Sequence, residues 1–172
     1  MRLKSLILAT ALSAMALPAA ADVFNSAPQP VRPADFVLLE KSERKLTLYR
    51  QGEEIASYSV SLGLDPTGHK EREGDFRTPE GRYLLTRRNP QSDFFLSIQV
   101  SYPGPEDLAQ ARRNGWLPGG AIMIHGLPNI PKYPRERYLE TDWTDGCIAL
   151  SNEDMLEIWL LTRADTPIEI RP

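Results

Sequence analysis

The stretch Leu96-Ser97-Ile98-Gln99-Val100-Ser101-Tyr102 alternates apolar and polar residues without a break. Successive side chains of a strand point to opposite faces, so Leu96, Ile98, Val100 and Tyr102 predict a buried face and Ser97, Gln99 and Ser101 a polar one. The same period recurs upstream, in Leu46 and Leu48 against Thr47 and Tyr49 and in Tyr58, Val60 and Leu62, and downstream in Ile168 and Ile170 against Glu169 and Arg171. Gln51-Gly52-Glu53 separates two of these runs and predicts a hairpin turn. The framework expected is mainly β and largely antiparallel.

Two helices are predicted to interrupt it. The first opens at Pro105 with Glu106 and Asp107 in its first turn and stops near Asn114-Gly115 after Arg112 and Arg113, charges that suit the helix dipole at both ends. The second follows Ser151, a favoured N-cap, and offers Met155, Leu156, Trp159 and Leu160 as its core stripe. Between Gly126 and Gly146 runs a long connection carrying Pro128, Pro131 and Pro134.

At the N-terminus, Arg2 and Lys4, an apolar run from Leu6 to Leu17, and Ala19-Ala20-Ala21 form the pattern of a secretory signal peptide over residues 1–21. Residues 22–34, with Pro28, Pro30 and Pro33, read as a flexible leader, and residues 35–172 as one domain. Cleavage after Ala21 leaves 18 basic and 23 acidic residues, a net charge of -5, with no long run of either sign. That balance argues against nucleic acid as a partner. A signal peptide with no later spanning apolar stretch predicts secretion, to the periplasm in a Gram-negative cell, with no membrane span after cleavage.

The chain has one cysteine, Cys147, in Thr144-Asp145-Gly146-Cys147-Ile148-Ala149, and two histidines, of which His125 lies 22 residues upstream in Ile124-His125-Gly126. An exported thiol with no partner in its own chain is a liability unless its reactivity is used. A free thiol ionises near pH 8.5, so it needs a base, a cation or a helix N-terminus to become a nucleophile at about neutral pH. His125 is the candidate base, and the helix after Ser151 a second aid. Glycine before the nucleophile allows the N–H groups of Gly146 and Cys147 to face a developing oxyanion, with the Thr144 hydroxyl beside them. His69, in a polar loop, is a near-site candidate. Two histidines 56 residues apart with no cysteine cluster make no metal site, and no cofactor is expected.

Four blocks in order, Ser61-Leu62-Gly63, Gly74-Asp75-Phe76-Arg77-Thr78-Pro79-Glu80-Gly81-Arg82-Tyr83, Ile124-His125-Gly126 and Thr144-Asp145-Gly146-Cys147-Ile148, resemble the YkuD-type L,D-transpeptidase catalytic domain over roughly Phe36 to Ile170. The resemblance implies a mainly β fold, a mixed sandwich or barrel of the L,D-transpeptidase type, with two short peripheral helices. It implies that Cys147 attacks the L-centre to D-alanine bond of a peptidoglycan stem tetrapeptide, that His125 activates it, that Thr144 and Gly146 shape the oxyanion loop, and that Gly126 keeps space beside His125. D-alanine leaves, and an amine of a neighbouring stem or of an anchored protein resolves the thioester. The chain departs from the family in two places. Ala149 stands where many relatives carry arginine, and Asp145 where histidine is common, putting a negative charge beside the thiol that opposes its ionisation. Arg112, Arg113, Lys132, Arg135 and Arg137 are the cations expected to offset it. These departures keep two alternatives open: a peptidoglycan hydrolase, either carboxypeptidase or amidase, on the same dyad, and a non-catalytic peptidoglycan-binding module.

Overall fold

The structure, a computed structural model, describes residues 32–172. The predicted signal peptide, residues 1–21, and most of the predicted leader, residues 22–34, lie outside the described residues. Ala34, read as the end of the leader, belongs to the domain: it is buried, and its N–H donates to the Leu161 carbonyl at 2.6 Å.

Among the described residues eight strands form one sheet: β1 (Phe36–Glu40), β2 (Lys45–Arg50), β3 (Glu53–Ser59), β4 (Gly81–Ser92), β5 (Phe95–Val100), β6 (Met123–His125), β7 (Ile148–Ala149) and β8 (Pro167–Arg171). Their order across the sheet is β3-β2-β1-β8-β4-β5-β6-β7. The expected hairpin forms at Gln51 and Gly52, both at positive φ, the conformation that lets a two-residue turn match the strand twist. Pairing is mostly antiparallel, as the period predicts, but β1–β8 and β6–β7 run parallel. The two outermost strands do not remain open edges. The segment leaving β3 returns to β7, where the backbones of Ser61 and Ala149 exchange hydrogen bonds at 2.8 Å in both directions, so the sheet curls towards closure.

β4 is the strand that periodicity misses. Its sequence is polar over most of its length, it carries Pro90, and its pairing with β5 shifts register twice, so no single alternation runs through it. The β5 alternation is as read for Ile98 and Val100, which are fully buried, and for Tyr102, nearly so, all in one core with Ile124, Ile148 and Leu150, while Leu96 at the strand's start is only partly buried. Each such aliphatic side chain contributes about 1.5–3 kcal/mol by leaving water.

Helix α1 (Pro105–Asn114) ends on Gly115 in the left-handed conformation, where its signals place it. A short helix, α2 (Arg135–Glu140), sits inside the long connection, which makes three helices among the described residues where the sequence predicts two. Three prolines mask it, yet Pro134 occupies its N-cap and leaves the helix itself uninterrupted. Helix α3 (Asn152–Leu161) is capped by Ser151, whose hydroxyl accepts from the Asp154 N–H at 3.0 Å. Its core face differs from the predicted stripe. Met155 and Ile158 are fully buried and Thr162 follows them, whereas Leu156 and Leu160 are exposed, so the i, i+3, i+7 row packs and the i+1, i+5 row does not. No helix among the described residues is long and apolar enough to cross a membrane.

Candidate active site

The polar side of the β5 alternation carries the site. Ser97 pairs with His125, which pairs with Ala149, and Ile124 pairs with Ile148 on the opposite, core-facing side. Strand alternation therefore puts His125, Ala149 and Cys147 on one face, with Cys147 beside Met123 and diagonal to His125. His125 and Cys147 both line a cavity of about 540 Å³, together with Phe94, Ser97, Ala121, Met123, Trp143, Thr144, Asp145 and Asp93. The structure thus brings together Cys147, His125, Thr144 and Asp145.

His125 is buried, and its Nδ1 lies 2.7 Å from the Gly126 carbonyl. A carbonyl only accepts, so Nδ1 carries the proton and Nε2 keeps its lone pair, the tautomer a base needs. The ring is packed between Phe94, at a centroid distance of 4.6 Å, and Trp143, at 5.6 Å edge-on. Burial lowers the imidazole pKa to about 4, against a smaller opposing effect of the Gly126 hydrogen bond. The resting imidazole is therefore neutral through the physiological range.

Cys147 is half-buried, with its sulfur 3.6 Å from the Ala121 carbonyl. Burial raises its pKa, a hydrogen bond from the Met123 N–H lowers it, Asp145 raises it, and Lys70 lowers it. The nearby cation is thus Lys70 and none of the five anticipated. Among those, Arg135 is paired with Glu153 and Arg137 lies over the Tyr133 ring. Helix α3 begins only after β7, and the Asp154 N–H of its first turn is taken up by the Ser151 hydroxyl. A raised thiol and a depressed imidazole leave the resting pair neutral, an arrangement in which a thiol could act as nucleophile only by giving up its proton as it attacks.

The loop before the cysteine is shaped differently from the expectation. The Gly146 N–H donates to Thr144 Oγ1 at 3.1 Å, and the Thr144 hydroxyl donates to the Cys147 carbonyl at 2.7 Å. Both groups are consumed in stapling the turn. Of the two donors anticipated for an oxyanion, only the Cys147 N–H has no acceptor among the described residues. Gly146 is required sterically: at φ +124°, a Cβ would lie 2.5 Å from the Arg77 carbonyl.

That carbonyl belongs to the Gly74–Tyr83 block, whose loop braces the site from behind. The buried Lys70 ammonium donates to Asp75 at 2.7 Å, and Asp75 also accepts N–H bonds from Glu71, Arg72 and Arg77. The buried Lys41 ammonium ties the same loop through the carbonyls of Gly68 and Thr78 and through Glu80. On the other side Asp142 accepts from the Leu62 N–H at 2.8 Å and from Arg44, fixing Ser61-Leu62-Gly63 against the Cys147 loop.

Gly126 does keep space, though for a different neighbour. A Cβ there would lie 2.6 Å from Asn152 Oδ1 and 3.0 Å from Phe95 Cβ. His69 is not brought to the site. Its Nδ1 accepts from the Glu80 N–H at 3.0 Å and its Nε2 lies 3.1 Å from Asp107, which makes it a brace between loop and α1. Sequence reasoning missed Phe94 and Lys70. The turn-forming Ser92-Asp93 before Phe94 and the Ser97–His125 register are the signals that place Phe94 over the imidazole.

A family model of the L,D-transpeptidase catalytic domain matches residues 34–170. The chain belongs to this YkuD family. YafK of Escherichia coli (strain K12) is 30% identical over 131 residues, covering 72% of this chain and 45% of that protein. The helical cell shape determining protein Pgp2 from Campylobacter jejuni superposes with a TM-score of 0.61 at 25% identity, over 84% of this chain and 51% of that one. An L,D-transpeptidase from Mycobacterium smegmatis shares the fold, with a TM-score of 0.55 at 13% identity over 81% of this chain and 59% of that one. The chain spans about half the length of the first relatives it matches. Within this L,D-transpeptidase domain Ala149 is buried on the site face, and its backbone is paired with Ser61. The charged side chains that line the cavity are Asp93 and Asp145, both exposed.

Proposed function

We propose that this protein is an exported cysteine acyltransferase that cleaves the L-centre to D-alanine bond of peptidoglycan stem tetrapeptides and passes the acyl group to an amine. The observation that carries the reading is the pairing of a half-buried thiol with an imidazole whose Nδ1–H is tied to a backbone carbonyl, both in one cavity on one sheet face. The Cys147 proton passes to His125 Nε2 as sulfur attacks the carbonyl carbon. The imidazolium then returns that proton to the departing D-alanine nitrogen, leaving a thioester. The acceptor amine loses its proton to Nε2, attacks the thioester and expels the Cys147 thiolate, which recovers the proton. The Cys147 N–H is the donor aimed at the oxyanion. The Phe94 ring, tilted against the imidazole at a centroid distance of 4.6 Å, offers a π surface that favours the transient imidazolium. The acidic lining of Asp93 and Asp145 favours a cationic acceptor, such as an ammonium on a neighbouring stem or an anchored protein.

Exposure favours a second reading, in which water is the acceptor. Asp145 stands solvent-exposed beside a half-exposed sulfur, so water reaches the thioester. The test is incubation of the purified protein with defined disaccharide tetrapeptides and mass analysis of the products. Cross-linked dimers identify amine transfer, and tripeptides identify hydrolysis. Cys147→Ala is expected to abolish both and to form no adduct with a carbapenem. Undiminished turnover by that variant would overturn the reading.

A further inference from the structure

We infer that Asn152 is a positioning residue for His125, acting through the peptide unit between Gly126 and Leu127. This rests on the proposed role of His125 as base. His125 Nδ1–H donates to the Gly126 carbonyl at 2.7 Å, and the N–H of the same peptide unit, that of Leu127, donates to Asn152 Oδ1 at 2.8 Å. The Asn152 side chain and the imidazole thus grip opposite edges of one planar group. Fixing its N–H edge fixes the direction of its carbonyl, and with it the tautomer and tilt of the ring. Hydrogen bonds in series also polarise one another, so acceptance by Asn152 makes the Gly126 oxygen a stronger acceptor for Nδ1–H.

Local sequence makes the arrangement possible. Gly126 has no Cβ, and one would lie 2.6 Å from Asn152 Oδ1, so the glycine admits the amide to the backbone. Asn152 is the first residue of α3, where the Ser151 cap and the hydrogen bond from the Leu150 N–H to the His125 carbonyl anchor the chain beside β6. The Gly126 N–H is held as well, with the Phe94 and Leu96 carbonyls at 3.1 and 3.2 Å. Only four residues lie between Cys147 and Asn152, and the intervening β7 lets one short segment supply both the thiol and the group that orients its base.

The test combines ring-nitrogen NMR with acylation kinetics. The chain has two histidines, and they serve as references for each other. His69 accepts at Nδ1 and so carries its proton on Nε2, opposite to His125. In protein labelled with 15N-histidine, Asn152→Ala is expected to move His125 from a pure Nδ1–H pattern to a tautomer mixture while His69 stays unchanged. The maximal rate of Cys147 acylation by a carbapenem should fall about tenfold with half-saturation unchanged. Asn152→Asp, which keeps an acceptor oxygen at the same reach, should restore both. Asn152→Ser, whose hydroxyl is too short to reach the Leu127 N–H, repeats the test should the alanine variant fail to fold. An unchanged His125 pattern and rate in the shortened variants would overturn the inference, as would a loss that Asn152→Asp does not rescue. Absence of any Cys147 adduct in the unaltered protein would refute the proposed function while leaving the tautomer comparison readable.

Discussion

Lowering the pH should destabilise this protein through a single buried imidazole. His125 has a pKa of about 4 in the folded state, with burial as the main cause, against an ordinary value of 6.5. Its native form resists protonation, so the unfolded chain binds the proton more readily between those values. Above about pH 7 neither state is protonated and the residue contributes no pH dependence. As pH falls through 6.5 stability is lost, by about 2 kcal/mol at pH 5, and the loss levels off near 3 kcal/mol below pH 4 once both states are protonated. Urea denaturation of the protein and of His125→Gln from about pH 8 to about pH 5 isolates the effect, because the carboxylates titrate alike in both. The protein should lose about 2 kcal/mol more than the variant over that interval. A difference that stays constant across the range would refute the account of a dry, neutral imidazole, and with it the proposal that attack and proton transfer occur together.

Two substitutions probe the loop and the charge beside the thiol. Gly146→Ala combines a φ of +124° with a contact of 2.5 Å to the Arg77 carbonyl, and is expected to cost about 2–4 kcal/mol and to abolish carbapenem acylation. Gly74→Ala, at φ +75° with open space around it, should cost only about 1 kcal/mol in the same urea titration and leave acylation intact. Equal costs at the two positions would show that the contact with Arg77 is immaterial. Asp145→Asn removes the charge that raises the Cys147 pKa after burial and the Met123 hydrogen bond are counted. Alkylation by iodoacetamide should become about two- to threefold faster at low salt, a gain that disappears at about 0.5 M salt, where exposed charges are screened. An identical rate in the two proteins would remove Asp145 from the electrostatics of the thiol.

Legibility of the fold followed the clarity of its periods. β5 declares both of its faces, and its polar side proves to be the floor of the site, with Ser97 in register with His125. β4 declares neither face, because its polar residues and irregular pairing serve a hairpin that leaves the sheet core. Helix α3 has apolar residues on more than one side, so the choice of stripe depended on which side meets the sheet, and only tertiary contact decides that. At the site, Cys147 and His125 were legible from residue type, rarity and neighbouring glycines. Lys70 was not, since a lysine in a charged loop gives no sign in sequence that it will be buried against Asp75. Thr144 and Gly146 were legible as members of the loop but not in their bonding, because a backbone N–H can equally face a substrate or a threonine hydroxyl.

The same contrast explains why the block from Gly74 to Tyr83 accompanies the cysteine although it carries no reacting group. A turn holding a glycine at φ +124° and a half-buried thiol needs a wall that does not yield. Arg77 supplies that wall with a backbone carbonyl, and Phe76 presses its own carbonyl to within 2.0 Å of where a Cβ on Gly63 would stand. The carbonyls can hold those positions only if the loop behind them is rigid, and its two buried ammonium groups are each met by a carboxylate. Breaking either pair would leave a buried charge uncompensated, at about 3–5 kcal/mol. The loop therefore does not relax around a misfitted cysteine turn, and the identity of Gly63 and Gly146 follows from salt bridges that touch neither residue.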